Sequence, residues 1–196
     1  MARVIAPMRA AASLLLLLSF HQIIDAQSQT AVAPKLIRLR DAKLPAKIRD
    51  GISTVLIEAM KDSGQQDADK LREFALDSTV SFLRLEEHGP AAILVDGAPD
   101  NPLISPNGVN SPSWLFKRVG GGEVVLLMEN DGVGISVEPT SHHGMHDISS
   151  AIRMGHTMEI AFEVDEFDGR TYKPAYCYES SVDEDGKEKK SARHPC

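Results

Sequence analysis

The densest group of residues that could do chemistry is a short segment with three histidines and an aspartate. His142, His143, His146 and Asp147 fall within six residues. Neutral imidazole binds zinc, copper and nickel well, and a carboxylate can complete such a ligand set. In an extended segment, however, His142 and His146 would share one face and His143 would lie on the other. The segment predicts either a divalent transition-metal site or a solvated histidine-rich turn, and the turn is favoured because no further ligand group is identified.

Other catalytic patterns are weaker. Ser141 precedes His142 directly, but successive side chains of an extended segment point apart, so the two do not form a nucleophile and its base. Glu163 and Asp165 would share one face of a strand, and two carboxylates that face each other across a few ångströms can act as acid and base in a glycosidase, although such a run usually forms the solvated face of a sheet. These patterns leave enzyme activity open and weigh against it. A hydrolase with an unrecognised carboxylate pair is the alternative.

The chain has two cysteines, Cys177 and Cys196. An even number in an exported chain favours a disulfide. The bridge would tie the C-terminal segment to the last predicted strand, and closing a loop of about 20 residues would stabilise the fold by on the order of 3 kcal/mol. The alternative is two free thiols and a disordered tail.

The single tryptophan follows a long irregular segment. Residues 97–112 contain four prolines, three asparagines and two glycines, which predicts an exposed loop. Loops of this length in compact domains are often functional, so Asn107 and Asn110 are candidates for ligand contacts. Trp114 is first expected in the core, and its alternative role is a ligand platform or an interface anchor.

The N-terminal segment has the order of a secretory signal peptide. Arg3 and Arg9 precede the apolar run at 12–20, and Ile24-Asp25-Ala26 places a small residue at a cleavage position. The apolar run is about ten residues long, whereas a membrane-spanning helix needs about 20. We predict cleavage after Ala26 and a periplasmic or secreted protein that is not membrane-embedded. Cleavage at Ala31-Val32-Ala33 and an uncleaved anchor are the alternatives.

The charge of the chain restricts its partners. It has 28 acidic and 21 basic residues, a net charge of −7, and no basic stripe that would follow a phosphate backbone. Gly120-Gly121-Gly122 lacks the Lys-Ser/Thr ending of a phosphate-binding loop. Nucleic acid and nucleotides are therefore not expected. The expected function is a noncatalytic binding or inhibitor-like module whose partner is an envelope protein or a small ligand, contacted through loop 97–112 and the sheet face beside it.

The elements that must position these residues follow from the apolar periodicity. Apolar residues between Asp41 and Asp62 recur at three- and four-residue steps, which predicts an amphipathic helix, and 68–76 predicts a shorter one. The period then changes to two, which predicts strands near 79–85, 91–95, 114–119, 123–129, 134–139, 147–153, 159–166 and 172–178. Gly120-Gly121-Gly122, Asn130-Asp131-Gly132 and Asp168-Gly169 predict tight antiparallel connections.

These elements predict an α+β fold in which the N-terminal amphipathic helix packs on a twisted, mostly antiparallel meander of about seven or eight strands. The predicted organisation has four parts. They are a signal peptide at 1–26, a disordered lead-in at 27–35, a single domain at 36–178, and a charged tail at 179–196 that the disulfide ties back and that has little regular structure.

Several short motifs resemble a group of small exported bacterial proteins whose function is not established. The motifs lie between residues 79 and 178 and are Ser113-Trp114-Leu115-Phe116, Gly134-Ile135-Ser136-Val137, Pro139-Thr140, Gly144, Asp147-Ile148 and Phe167-Asp168-Gly169 followed by Tyr172, Pro174-Ala175 and Cys177-Tyr178. The resemblance implies export and a β-rich fold, and no reaction. Members of the group often carry two cysteines just before the tryptophan. Residues 105–112 contain none, so Cys177 lacks a partner in that loop.

Overall fold

The computed structural model describes residues 36–61, 67–97, 111–132, 134–153, 160–182 and 187–196. The predicted signal peptide and lead-in, Asn107 and Asn110 lie outside the described residues. Residues 36–196 form one compact unit, so the tail belongs to the same unit as the predicted domain. Neither described helix has the length and apolar composition of a membrane span.

The described residues form two α-helices, ten strands and one 3-10 turn at Gly120–Gly122. In chain order the helices and strands are β1 (Ile37–Arg38), α1 (Ala46–Lys61), α2 (Ala68–Asp77), β2 (Thr79–Leu83), β3 (Ala92–Asp96), β4 (Ser111–Val119), β5 (Glu123–Gly132), β6 (Ile135–His142), β7 (Met145–Arg153), β8 (Ile160–Phe167), β9 (Tyr172–Val182) and β10 (Glu188–Lys190). They build two five-stranded antiparallel sheets. Sheet A has the order β1-β2-β3-β4-β5, and sheet B has the order β10-β9-β8-β7-β6. Two helices and a larger number of antiparallel strands agree with the predicted α+β class.

The predicted single meander is wrong, because β5 and β6 belong to different sheets. Asn130-Asp131-Gly132 does not close a hairpin but continues β5. A Cβ atom on Gly132 would lie 2.5 Å from the carbonyl oxygen of Ala151 in β7. Glycine is therefore required at position 132 because the backbones of β5 and β7 approach closely, and not because the chain turns there.

One face of sheet A is covered by the helices. Ile48, Ile52, Leu56 and Met60 recur every four residues along α1 and are all buried. With α2 they pack on Val80, Ile93, Val95, Trp114 and Phe116. Asp67 caps the N-terminus of α2. Its carboxylate accepts hydrogen bonds from the backbone N–H groups of Asp69 and Lys70 at 3.1 and 3.2 Å. Both predicted helices are confirmed.

The opposite face of sheet A packs on one end of sheet B. Leu94, Leu115 and Met128 of sheet A share an apolar cluster with Ile148 and Phe167 of sheet B. Sheet A is therefore buried on both faces, which explains why its central strands read as nearly continuous apolar runs.

The C-terminal tail is regular, against the prediction. β9 extends to Val182, and β10 pairs with it in antiparallel register. The pairing continues after β10, since Ser191 N–H donates to Glu179 O at 2.9 Å and His194 N–H donates to Cys177 O at 3.0 Å. The predicted disulfide is present, with 5.0 Å between the Cα atoms of Cys177 and Cys196. The bridge fixes the end of the tail beside β9, so even this charged segment can complete a strand.

Candidate functional site

Sheet B presents two faces with different chemistry. Along β7, β8 and β9, Ser149 lies opposite Val164 and Val164 opposite Tyr176, while Ser150 lies opposite Glu163 and Glu163 opposite Cys177. Successive side chains of a strand point to opposite faces. The Ser150 set shares its face with Ile148, which packs against sheet A. We call this the inner face and the other the outer face.

The outer face carries a shallow cavity of about 290 Å³, here named the outer groove. Val164, Tyr176 and Tyr178 line it from β8 and β9, and Glu138 lines it from β6. The remaining lining residues, Lys190, Ser191 and Arg193, all come from the tail. The groove is therefore assembled from the middle of sheet B and from a segment that the disulfide holds in place.

Cationic side chains lie over the faces of aromatic rings at the outer groove. The rings of Phe162 and Tyr178 stack with 4.9 Å between their centroids and 7° between their planes. Lys190 Nζ lies 5.2 Å from the centre of the Tyr178 ring, and Arg193 Cζ lies 4.2 Å from the centre of the Tyr176 ring. Both distances are within the range of cation–π attraction. The contacts orient two cationic side chains in a protein whose net charge is negative.

Arg193 keeps its hydrogen-bonding capacity. Among the described residues, its guanidinium has no ion pair and no hydrogen-bond partner. Glu138, which lines the same groove, likewise has no ion-pair partner among them. Two opposite charges thus face one groove without neutralising each other, and the five N–H donors of the guanidinium are available to a ligand.

The disulfide connects the two faces. Cys177 lies between Tyr176 and Tyr178 in the chain, so its side chain is on the inner face while the two rings are on the outer one. The bonded Cys196 is three residues beyond Arg193. The bridge therefore holds the tail from the inner side while the side chains of Lys190 and Arg193 reach the rings on the outer side.

The histidine segment forms the predicted turn, between β6 and β7. His143 and Gly144 have φ angles of 49° and 80°, the left-handed pair of a two-residue hairpin. The turn brings His142 Nδ1 to 2.8 Å from a carboxylate oxygen of Asp147, which is 2% exposed. His142 Nε2 lies 3.7 Å from Glu166. The hydrogen bond to Asp147, supported by the charges of Asp147 and Glu166, raises the pKa of His142.

The turn does not gather the predicted metal ligands. His143 is exposed at its tip, and His146 Nδ1 is buried with no hydrogen-bond partner among the described residues. In the part of the chain that the structure describes, one group of three potential metal ligands has its ligand atoms within 4.8 Å of one another. It consists of Glu163, Cys177 and Cys196. His142, His143, His146 and Asp147 do not form such a set.

The carboxylates of β8 are not on a solvated face, contrary to the usual expectation for such a run. Glu163 and Asp165 share the inner face, as the alternation predicted, but Asp165 is 3% exposed. One of its oxygens and the Ser150 hydroxyl have no hydrogen-bond partner in the described part of the chain. Burial, with the charge of Glu163 adding to it, raises the pKa of Asp165 to about 7.

Trp114 is a core residue. Its side chain is 1% exposed and belongs to the cluster beneath the helices. This burial confirms the first expectation for the residue and leaves the ring no surface for a ligand or a partner.

The outer groove was missed in the sequence. Tyr176 and Tyr178 alternate around Cys177, which indicates two rings on one face, but nothing in the charged tail fixes which of its residues meets which strand. The predicted disulfide was the available signal. It places the tail beside β9, and with it Lys190 and Arg193 near the two rings.

Comparison with protein-family models, with curated proteins and with solved structures found no match for this chain. The resemblance to small exported bacterial proteins stays a prediction, and function has to be argued from the geometry of sheet B.

Proposed function

We propose that this protein is an exported, noncatalytic binding module of the cell envelope, periplasmic or secreted, and that it holds a carboxylate-bearing ligand in the outer groove. The observation that carries the proposal is the Arg193 guanidinium. It is stacked on Tyr176, is held by a disulfide-bonded tail, and has no ion-pair partner among the described residues.

The geometry favours a carboxylate for electrostatic and entropic reasons. A guanidinium presents a planar fork of donors that matches a carboxylate bidentately, and such charge-assisted hydrogen bonds are stronger than neutral ones. Stacking and the disulfide restrict the side chain before the ligand arrives, so less conformational entropy is lost on binding. Glu138 offers an acceptor in the same groove for an N–H group of the ligand.

The size of the groove favours a small ligand or the end of a chain. Its volume of about 290 Å³ lies at the lower limit of ordinary small-molecule sites, which are roughly 300–1,000 Å³. The C-terminus of a peptide combines a carboxylate, amide N–H groups and one side chain within that volume. The inhibitor-like role is a special case in which the bound peptide belongs to a partner protein of the envelope.

The two alternative functions have less support. A metal-dependent role at the histidine turn requires several ligand atoms close to one another, and among the described residues His142, His143, His146 and Asp147 do not form such a set. A hydrolase requires a carboxylate pair that a substrate can reach, whereas Asp165 is buried between the sheets. The predicted contacts from Asn107 and Asn110 stay predictions, and the outer groove does not depend on them.

Calorimetric titration with short peptides tests the proposal. Peptides with a free C-terminal carboxylate should bind with one site per chain, and the same peptides with a C-terminal amide should bind at least about tenfold more weakly, since a hydrogen bond to a charged group contributes about 1.5–3 kcal/mol. Arg193→Gln should give the same loss. Arg170→Gln, at the exposed turn between β8 and β9, is the matched control. Equal affinities for the acid and the amide would contradict the proposal.

A further inference from the structure

The inner face of sheet B carries a second cluster, separate from the outer groove. It consists of Glu163 on β8, Cys177 on β9 and Cys196 at the end of the tail. One ligand atom from each lies within 4.8 Å of the others. Glu163 and Cys177 are directly opposite in the register, and the tail pairs with β9 on its other edge. Three adjacent segments of one ladder therefore direct potential metal ligands to one point.

The disulfide decides whether these atoms can bind a metal. While the sulfur atoms are bonded to each other, neither is a thiolate, so Glu163 is the only one of the three side chains that can serve as a metal ligand. Reduction by a dithiol breaks the S–S bond, transfers two electrons and two protons to the cysteines, and leaves the reductant as its own disulfide. Cys196 is exposed and Cys177 is partly buried, so a small dithiol can reach the bond.

The reduced cluster has the composition of a zinc site. Zinc binds thiolate sulfur at about 2.3 Å and carboxylate oxygen at about 2.0–2.2 Å in tetrahedral geometry, and three protein ligands leave the fourth position for water. Ligand atoms already within 4.8 Å need only side-chain adjustment to reach such a geometry. The ion would displace the two thiol protons and form two Zn–S bonds and one Zn–O bond, so two protons are released for each zinc bound.

The surrounding charge favours a cation. Glu179 is two residues beyond Cys177 on β9, so it shares the inner face with the cluster. No cationic side chain forms an ion pair with Glu163 among the described residues.

We propose that the reduced protein holds a zinc ion between Cys177, Cys196 and Glu163, and that the ion then links the tail to β9 in place of the disulfide. The site exists only in the reduced state. Because the tail supplies Lys190 and Arg193, the metal would keep the outer groove assembled when the covalent bridge is open. This inference does not depend on what the outer groove binds.

The test is a titration of Co²⁺, used as an absorbing substitute for zinc, into untagged protein that has been reduced with a dithiol and freed of it under anaerobic conditions. One equivalent should produce thiolate-to-cobalt charge-transfer absorption with tetrahedral d–d bands, and Zn²⁺ should remove both. Oxidised protein should give neither. Cobalt absorption without the charge-transfer band, or the same spectrum from oxidised protein, would overturn the proposal, because binding would then lie elsewhere, for example at the histidines.

Variants separate the ligands from their surroundings. Cys177→Ser should abolish the charge-transfer spectrum of a one-to-one complex. Glu163→Gln should weaken zinc binding at least about tenfold. Loss of a residue that only hydrogen-bonds to a metal ligand already lowers metal affinity by about 10–100-fold, and Glu163 is a direct ligand in this proposal. Glu129→Gln, an exposed carboxylate on β5 of sheet A, is the matched control and should leave the affinity within about twofold. Circular dichroism establishes that each variant is folded, and equal affinities of folded Glu163→Gln and the unaltered protein would overturn the assignment of Glu163.

Discussion

Sheet A and sheet B have the same topology, a five-stranded antiparallel meander, but they use their faces differently. Sheet A is covered by helices on one face and by sheet B on the other, and the side chains of β3 and β4 at both contacts are largely apolar. Sheet B buries a carboxylate on its inner face and exposes rings and cations on its outer face. A sheet with both faces in the core has no surface to offer a ligand, so sheet A acts as the scaffold and sheet B carries the candidate sites.

The largest expected change in stability follows from removing a core side chain of sheet A. Trp114→Ala should lower the free energy of unfolding by about 3–5 kcal/mol, because it leaves a large cavity in the core beneath the helices. Tyr178→Ala on the outer face of sheet B should lower it by much less, on the order of 1 kcal/mol for the lost ring stacking. Urea denaturation measures both values, and similar losses would remove the distinction between the sheets.

The next largest effect is expected from removing the disulfide that holds the tail on sheet B. Cys196→Ser should lower the free energy of unfolding by about 3 kcal/mol, as expected for opening a loop of about 20 residues. It should also release the tail. Hydrogen exchange should become fast at Ser191 and His194, whose amides pair with β9, while the amides of β3 and β4 stay slow. Protection of the tail amides in this variant would mean that strand pairing alone holds the tail.

The buried carboxylate of sheet B should reduce stability at neutral pH. The pKa of Asp165 is raised to about 7 in the folded protein, against about 3.9 in an unfolded chain. The folded state therefore binds the proton more tightly, and stability falls as the pH rises from about 4 to about 7. Asp165→Asn should raise the free energy of unfolding by about 1–3 kcal/mol at pH 8, since it removes the charge that the buried carboxyl group carries above its raised pKa.

That difference should shrink at about pH 5, where the carboxyl group of folded Asp165 is already neutral. Asp131→Asn, an exposed carboxylate at the end of β5, serves as the control and should change stability little at either pH. A stability gain for Asp165→Asn that is equal at both pH values would contradict burial of a charge as its cause.

The smallest effect is expected at the histidine turn. The pKa of His142 is raised by its hydrogen bond to Asp147, so its contribution to stability is fully present below the unfolded value of about 6.5 and is lost as the pH rises through the folded value. Melting temperatures of His142→Gln and the unaltered protein should therefore differ most at acid pH and converge at alkaline pH. His143→Gln, at the exposed tip of the same turn, is the control, and convergence at acid pH would contradict the assigned sign.

Local pattern predicted most elements of the fold, and tertiary burial decided what it missed. Both helices and eight strands follow from apolar periodicity and strand-forming residues, since α1 repeats at four residues and β5 alternates between more exposed and more buried positions. Asn130-Asp131-Gly132 looks the same in sequence whether it closes a hairpin or lets β5 pass close to Ala151. The choice depends on which faces are buried, and a local pattern does not contain that information.

The candidate sites were predicted less completely, for a related reason. The histidine segment was found by composition, but the pairing of His142 with Asp147 depends on the left-handed angles of His143 and Gly144. The outer groove depends on a tail that pairs with β9 only because Cys196 is anchored there. Contacts set by a cross-link and a strand register are not encoded in the spacing of the residues that form them.

The division between scaffold and binding surface is tested most directly by mapping the bound peptide with NMR. A peptide with a free C-terminal carboxylate, titrated into ¹⁵N-labelled protein, should shift the amide resonances of Tyr176, Tyr178, Ser191 and Arg193 together and leave those of β3 and β4 unchanged. Shifts confined to Gly97 and Ser111, which belong to the predicted loop 97–112, or to the strands of sheet A would contradict the account.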